Sequence, residues 1–257
     1  MIVPRKYEQG SPVKIRLDRD VLAEAVAWTA RSLPTRPSVP ILAGLLVKAA
    51  DGQVVMSSFD YETSAQITVK ADVIEDGVAL VSGRLLADIA RSLPGKPVDV
   101  TADASRMELV CGSARFTLQT LPVEDYPALP AMPEATGTVA SDDFAKAVAQ
   151  VVVAAGRDEL LPVFTGVRME IEDDTLSLLA TDRYRMALKE IPWNPSSAHT
   201  AGAALVPARV LGESAKSMTS GELVTLSLAG TGTGDGLIGF EGDGAAGVRE
   251  ITTRLLD

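Results

Sequence analysis

Leu178-Leu179-Ala180-Thr181-Asp182-Arg183-Tyr184-Arg185-Met186 is the stretch from which the fold can be read. It follows the turn-like Glu172-Asp173-Asp174, begins as an apolar run and ends in charge and one aromatic ring. A spacing of 122 residues carries it back onto Met56-Ser57-Ser58-Phe59-Asp60-Tyr61-Glu62. Asp182 then falls on Asp60, and Asp173 on Asp51. Working outward, Ala25/Ala147, Val26/Val148, Pro40/Pro162 and Gly44/Gly166 pair at the same spacing, with no gap. Further on the spacing becomes 125, and Leu80-Val81, Arg84, Arg91 and Ser92 meet Leu205-Val206, Arg209, Lys216 and Ser217. The chain is an internal repeat of one unit, far longer than the roughly 20–50 residues of a solenoid repeat.

Within the first copy, polarity alternates over residues 14–18, as in a half-buried strand. A helix is expected over Asp20–Leu33, its apolar face formed by Leu22, Ala25, Val26, Thr29 and Leu33, with Pro34 as the stop. Pro40–Lys48 reads as a strand, Asp51-Gly52 as a hairpin turn, and Val54–Phe59 as the returning strand. Further strands are expected over Ala65–Asp72, Val78–Val81, Val98–Ala102, Arg106–Cys111 and Arg115–Thr120, with a second helix over Arg84–Leu93. In the second copy a helix is expected over Asp143–Ala155, with Phe144, Ala147, Val148 and Val151 inward, and a strand over Pro162–Glu170. This order predicts an α+β fold in which each copy lays two helices on one face of antiparallel sheets. The expected organisation is an N-terminal extension over 1–13, a first domain over 14–128, a proline-rich linker over 129–136 and a second domain over 137–257.

Composition narrows the function. The 257 residues carry a net charge of −10, which argues against gripping nucleic acid by bulk electrostatics, since such footprints are basic. No apolar run is long enough to span a membrane, and the polar start is no secretory signal. The single Cys111 excludes an internal disulfide and a cysteine-clustered metal site, and its strand-like setting makes it a small buried hydrophobe. The single His199 stands in a loop without a nucleophile or carboxylate partner in its neighbourhood. Gly230–Gly236 joins two strands with no following lysine or helix start, so it is a hairpin loop rather than a phosphate cradle. No cofactor, metal or catalytic residue is expected. Asp60 and Asp182, being equivalent positions, are expected to fix the same turn in each copy.

Over nearly its whole length from Lys14, the chain resembles the bacterial DNA polymerase III beta subunit, the sliding clamp family. The resemblance is carried by Arg36-Pro37-Ser38-Val39-Pro40-Ile41-Leu42, by Thr120-Leu121-Pro122-Val123-Glu124-Asp125-Tyr126-Pro127, and by Ala180-Thr181-Asp182-Arg183-Tyr184-Arg185. It implies domains one and two of a three-domain chain that dimerises into a ring around duplex DNA. The third domain is expected to lie outside this sequence. It further implies a cytoplasmic, non-enzymatic processivity factor that contacts DNA weakly and topologically. An ATP-driven clamp loader would place it on DNA, and loader and polymerase would bind through short hydrophobic peptides.

The resemblance also implies sites. Arg36 and Arg157, on loops, with Arg31, Arg91, Lys96, Lys146 and Lys216, are the expected DNA-facing cations. Phe164, Thr181, Arg183, Tyr184, Arg185 and Met186 are the expected wall of the partner-peptide pocket, with Phe164 and Met186 departing from the family's usual leucines. Arg115, Phe116 and Leu118, in the strand through Thr117, are the expected dimer edge. Two alternatives stand beside this. One is a free-standing clamp-like peptide-binding module that does not encircle DNA, and the other a hydrolase using Asp60 or Asp182 between the repeats.

Overall fold

A computed structural model describes residues 12–197, 201–228 and 236–256. His199, residues 1–11 of the extension and residues 230–235 of the glycine run lie outside these described residues. Two compact units divide the chain. The first is formed by the described residues up to Leu129 together with Ala245–Val248, and the second by Pro130–Gly244 with the residues from Arg249 on.

In the first unit the elements run β1 (Val13–Leu17), α1 (Arg19–Ala30), β2 (Gly44–Ala50), β3 (Gln53–Phe59), β4 (Thr63–Lys70), β5 (Asp72–Glu75) and β6 (Gly77–Ser82). There follow α2 (Gly83–Ser92), β7 (Val98–Ala102), β8 (Arg106–Cys111) and β9 (Ala114–Leu121). The strands lie in the order β4-β3-β2-β6-β9-β8-β7-β1-β5, and the paired registers are antiparallel. In the strand ladder the two halves of this array meet at Leu80↔Leu121 and Val81↔Thr120, where β9 leaves β6 to pair with β8. Asp18 caps α1 by accepting the Asp20 N–H at 2.7 Å, and Leu22, Ala25, Val26 and Thr29 are buried beneath the helix. Phe59, Leu80 and Tyr126 form a core cluster, with Ile41, Leu46, Leu121, Val123 and Leu129 packed round it. Burial pushes the Tyr126 phenol up to about 12.

The second unit comprises β10 (Gly137–Ala140), α3 (Ser141–Val151), β11 (Gly166–Glu172), β12 (Thr175–Thr181), β13 (Met186–Pro192), β14 (Asn194–Pro195) and β15 (Ala201–Pro207). It ends with α4 (Ala208–Ser217), β16 (Leu223–Leu228), β17 (Leu237–Asp243) and β18 (Val248–Arg254). Its sheets are β13-β12-β11-β15 and β14-β10-β16-β17-β18. Phe144 from α3 stacks on Phe240 from β17, the ring centroids 6.2 Å apart.

The repeat is visible in detail. Asp51 and Asp173 take left-handed backbone at φ 51° and 49° in matching hairpin turns. A side chain on Gly44 would strike Leu80 Cδ1 at 2.7 Å, and one on Gly166 would strike Leu205 Cδ1 at 2.8 Å. The same close packing of strand on strand is therefore kept at both spacings of the repeat.

Several boundaries differ from expectation. Pro40–Ala43 and Pro162–Thr165 are single 3-10 turns, and the strands begin only at Gly44 and Gly166. In the first of them Leu42 N–H bonds back to Val39 O, a local turn that competes with the sheet ladder. The first helix ends at Ala30 rather than Leu33, because Arg31, Ser32 and Leu33 tighten into bonds to carbonyls three residues back. The third starts at Ser141 and passes into a 3-10 turn at Val152. Ala65–Asp72 is two strands, broken at Ala71.

Candidate functional site

The stretch Thr181–Met186 links β12 to β13 through a turn built by Asp182. Its Oδ1 accepts the Tyr184 and Arg185 N–H groups at 3.1 and 3.0 Å, and its Oδ2 accepts Arg185 Nε at 3.0 Å. Those bonds, the Arg185 N–H first, hold the Asp182 carboxyl below the usual carboxylate range. Thr181 Oγ1 donates to Arg185 O at 2.8 Å and accepts the Arg183 N–H at 3.2 Å. Arg183 sits at φ 79°, a left-handed position that throws its side chain clear of the turn. Its guanidinium lies over the Phe164 ring at 5.7 Å and the Tyr184 ring at 5.9 Å.

The structure thus brings Phe164, Arg183 and Tyr184 together. Tyr184 is 90% exposed and Met186 67%, so neither is a core residue, while Phe164 is half-buried. Thr181 and Arg185 are committed to the turn itself, Thr181 by its hydroxyl and Arg185 by its bond to Asp182. Phe164 is held from behind, where its carbonyl accepts the Gly156 N–H at 2.6 Å. A side chain on Gly156 would press on Phe164 Cβ at 3.3 Å.

That hydrogen bond also closes the base of the loop carrying Arg157. Beside the loop, Arg157, Arg209 and Lys216 line a groove of about 680 Å³ between the residues that follow α3 and the length of α4. Val152, Ala155 and Gly212 contribute to its lining, and Glu159 and Glu213 share it. Two of the expected cations therefore meet at one place, and a third joins them that was not expected. Arg209 had a signal in the sequence, since it pairs with Arg84 in the repeat. Lys146, exposed on α3, does not line this groove.

In the first unit Arg31, Arg36, Arg91 and Lys96 are all exposed. Arg91 stands 3.8 Å from Asp88, and the Lys96 stem lies across Gly112. Along β9, residues 114–119 pair with β8 on one flank and have no strand on the other among the described residues. Arg115 is exposed and paired with Glu108 at 2.8 Å, Phe116 is half-buried, and Leu118 at 2% exposure points into the core. Cys111 is buried, its thiol donating to Pro94 O and Lys96 O. Among the described residues no group of three or more His, Cys, Asp or Glu could hold a metal ion. No described helix is long and apolar enough to cross a membrane.

Comparison with known proteins fits this duplicated frame. Residues 13–130 match the DNA polymerase III beta subunit N-terminal domain, and residues 138–257 match its central domain. The chain belongs to the DNA polymerase III beta subunit family. It is 60% identical over 245 residues to the beta sliding clamp of Streptomyces coelicolor, covering 95% of this chain and 64% of that one. It is 50% identical over 245 residues to the beta sliding clamp of Micrococcus luteus, covering 95% and 77%. The crystal structure of the DNA polymerase sliding clamp from Bacillus subtilis superposes with a TM-score of 0.86 at 24% identity, over 96% of this chain and 65% of that one. The last comparison bears on fold alone. The chain thus spans just under two thirds of the Streptomyces coelicolor relative. Within this beta subunit family chain, the two matched segments coincide with the two copies of the repeat.

Proposed function

We propose that the chain works as part of a DNA sliding clamp, a non-catalytic processivity factor that encircles duplex DNA and tethers the replicative polymerase. The observation that carries this is the match of both repeats, in order, to the N-terminal and central domains of the beta subunit. The charge balance supports it. A topological tether needs only not to fall off, and every neutralised phosphate adds non-specific affinity that slows sliding. A chain of net charge −10 with a few exposed cations suits such contact better than a basic footprint would. We assign weak DNA contact to Arg36, Arg157, Arg209 and Lys216, with Arg31, Arg91, Lys96 and Lys146 contributing. Arg183, Tyr184, Met186 and Phe164 form one wall for short hydrophobic peptides of the polymerase and of an ATP-driven loader. The open flank of β9 is the surface for self-association into a ring, with Arg115 and Phe116 at its face. The protein would act in the cytoplasm and need no cofactor.

The test is retention on DNA. The longer protein expected to carry the third domain as well is labelled and incubated with nicked circular plasmid, loader and ATP, then filtered before and after the plasmid is linearised. Retention on the circle and loss from the linear form are expected. Equal retention on both forms would overturn encirclement and leave a peptide-binding module. Arg157→Ala with Lys216→Ala is expected to lower the salt dependence of retention, not to abolish it.

A further inference from the structure

The two units share a frame at the β12–β13 hairpin and differ in what they hang on it. In the first unit the cross-strand pair at one position of β3 and β4 is Ser57↔Gln66, with Ser57 Oγ donating to Gln66 Oε1 at 3.3 Å. The equivalent pair in the second unit is Leu179↔Leu188. Two pairs nearer the turn, Phe59↔Ser64 becomes Thr181↔Met186. Side chains two residues apart on a strand share a face. Met186, Leu188 and Leu179 therefore form one continuous apolar strip, away from the buried face of Leu176, Leu178 and Ala180. Leu188 is 56% exposed. A hydrogen-bonded polar pair satisfies this position in the first unit, so the sheet itself does not require two leucines there.

Charge beside the strip narrows what could cover it. Arg185 is bound to Asp182 and Arg168 to Glu170. Arg183, held over two rings at the head of the strip, is paired with no carboxylate among the described residues. The surface thus offers aliphatic contact at a strand's two-residue spacing and one cation without a counter-charge.

We propose that Leu179 and Leu188 continue the peptide wall beyond Met186. They would take alternate aliphatic side chains of an extended partner segment whose carboxylate meets Arg183. This rests on the peptide-wall reading above and adds a second contact to it. The sequence could not show it, because Leu188 enters the wall through its cross-strand register and not through the signature stretch.

The experiment uses the whole chain and a labelled eight-residue peptide alternating leucine and aspartate, with an alternating serine–aspartate peptide as control. Leu179→Ser with Leu188→Gln installs the first unit's own pair, and melting curves check that the fold is kept. The double variant is expected to weaken leucine–aspartate binding about tenfold, as loss of two partly exposed leucine contacts implies. Met186→Ala is expected to weaken it as well, and the serine peptide to bind neither protein. If Met186→Ala weakens binding while the double variant leaves it unchanged, the wall ends at Met186 and this proposal falls alone. If the peptide does not bind, or neither variant alters its binding, the peptide-wall reading falls with it. A concentration-dependent dimer abolished by the double variant, without peptide binding, would give the strip to a second copy and overturn the proposal.

Discussion

Asp60 and Asp182 build the same turn and present opposite chemistry. Asp60 Oδ1 accepts the N–H groups of Glu62 and Thr63, as Asp182 Oδ1 accepts those of Tyr184 and Arg185. The residue after each aspartate is left-handed, Tyr61 at φ 75° and Arg183 at φ 79°. In the first unit Tyr61 lies edge-on to the buried Phe59, so the turn leans back on its own core. In the second, Thr181 stands where Phe59 would, and Arg183 turns instead to Phe164 and Tyr184. A turn held by one carboxylate leaves its other side chains free to diverge, and function can be read from where they do.

The largest effect should come where the copies agree. Leu178 is fully buried on β12, and its counterpart Met56 is 1% exposed on β3. Leu178→Ala and Met56→Ala are each expected to cost about 2–5 kcal/mol by denaturant unfolding. A large cost in one unit only would break the equivalence of the two cores.

Next comes a graft. Replacing Arg183, Tyr184, Arg185 and Met186 by the Tyr, Glu, Thr and Ser of the first unit keeps Asp182 and so should keep the turn. Circular dichroism and melting should stay near wild type, while binding of a hydrophobic peptide falls by more than tenfold. Retained peptide binding would mean the divergence carries no function.

One shifted group in each unit also ties stability to pH, the two acting at opposite ends of the scale. Tyr126 is raised from an ordinary 10.0 to about 12, so its contribution is whole below pH 10 and is lost as pH rises toward 12. Tyr126→Phe should flatten that alkaline loss. Asp182 is lowered, so its contribution is present above the ordinary carboxylate range and is lost as pH falls through its depressed pKa. Asp182→Asn should flatten the acid limb of the stability curve, measured by urea unfolding at stepped pH.

The smallest effect belongs to Met186→Ala. At 67% exposure it should change stability by less than about 0.5 kcal/mol, the range of ordinary surface substitutions. A loss of several kcal/mol would return Met186 to the core and remove it from the wall.

Much of the fold was legible because the repeat reports itself in polar turn residues and small packing residues, whose roles are local. Asp51, Asp60 and Gly44 each do the same thing as their partners 122 positions on. The apolar runs after Pro40 and Pro162 misled, since hydrophobicity does not distinguish a strand from a 3-10 turn ahead of it. The signature stretch pointed to Arg183, Tyr184 and Met186. It could not reveal that Thr181 and Arg185 are occupied by the turn, which is a matter of bond geometry. Nor could it join Arg157, Lys216 and Arg209, which only the packing of α4 beside the end of α3 brings to one groove.

The bond from Gly156 N–H to Phe164 O has a consequence in time. It is the clasp of the loop over residues 157–163, so that loop cannot lift away while the clasp is closed. The Gly156 amide proton can trade with solvent deuterium only when the clasp opens, which makes its exchange rate a clock for the loop. Because the same clasp backs the Phe164 ring, ticks of that clock are also moments when the ring beneath Arg183 loses its support. A segment bound across that ring would slow the clock at a backbone atom it never touches.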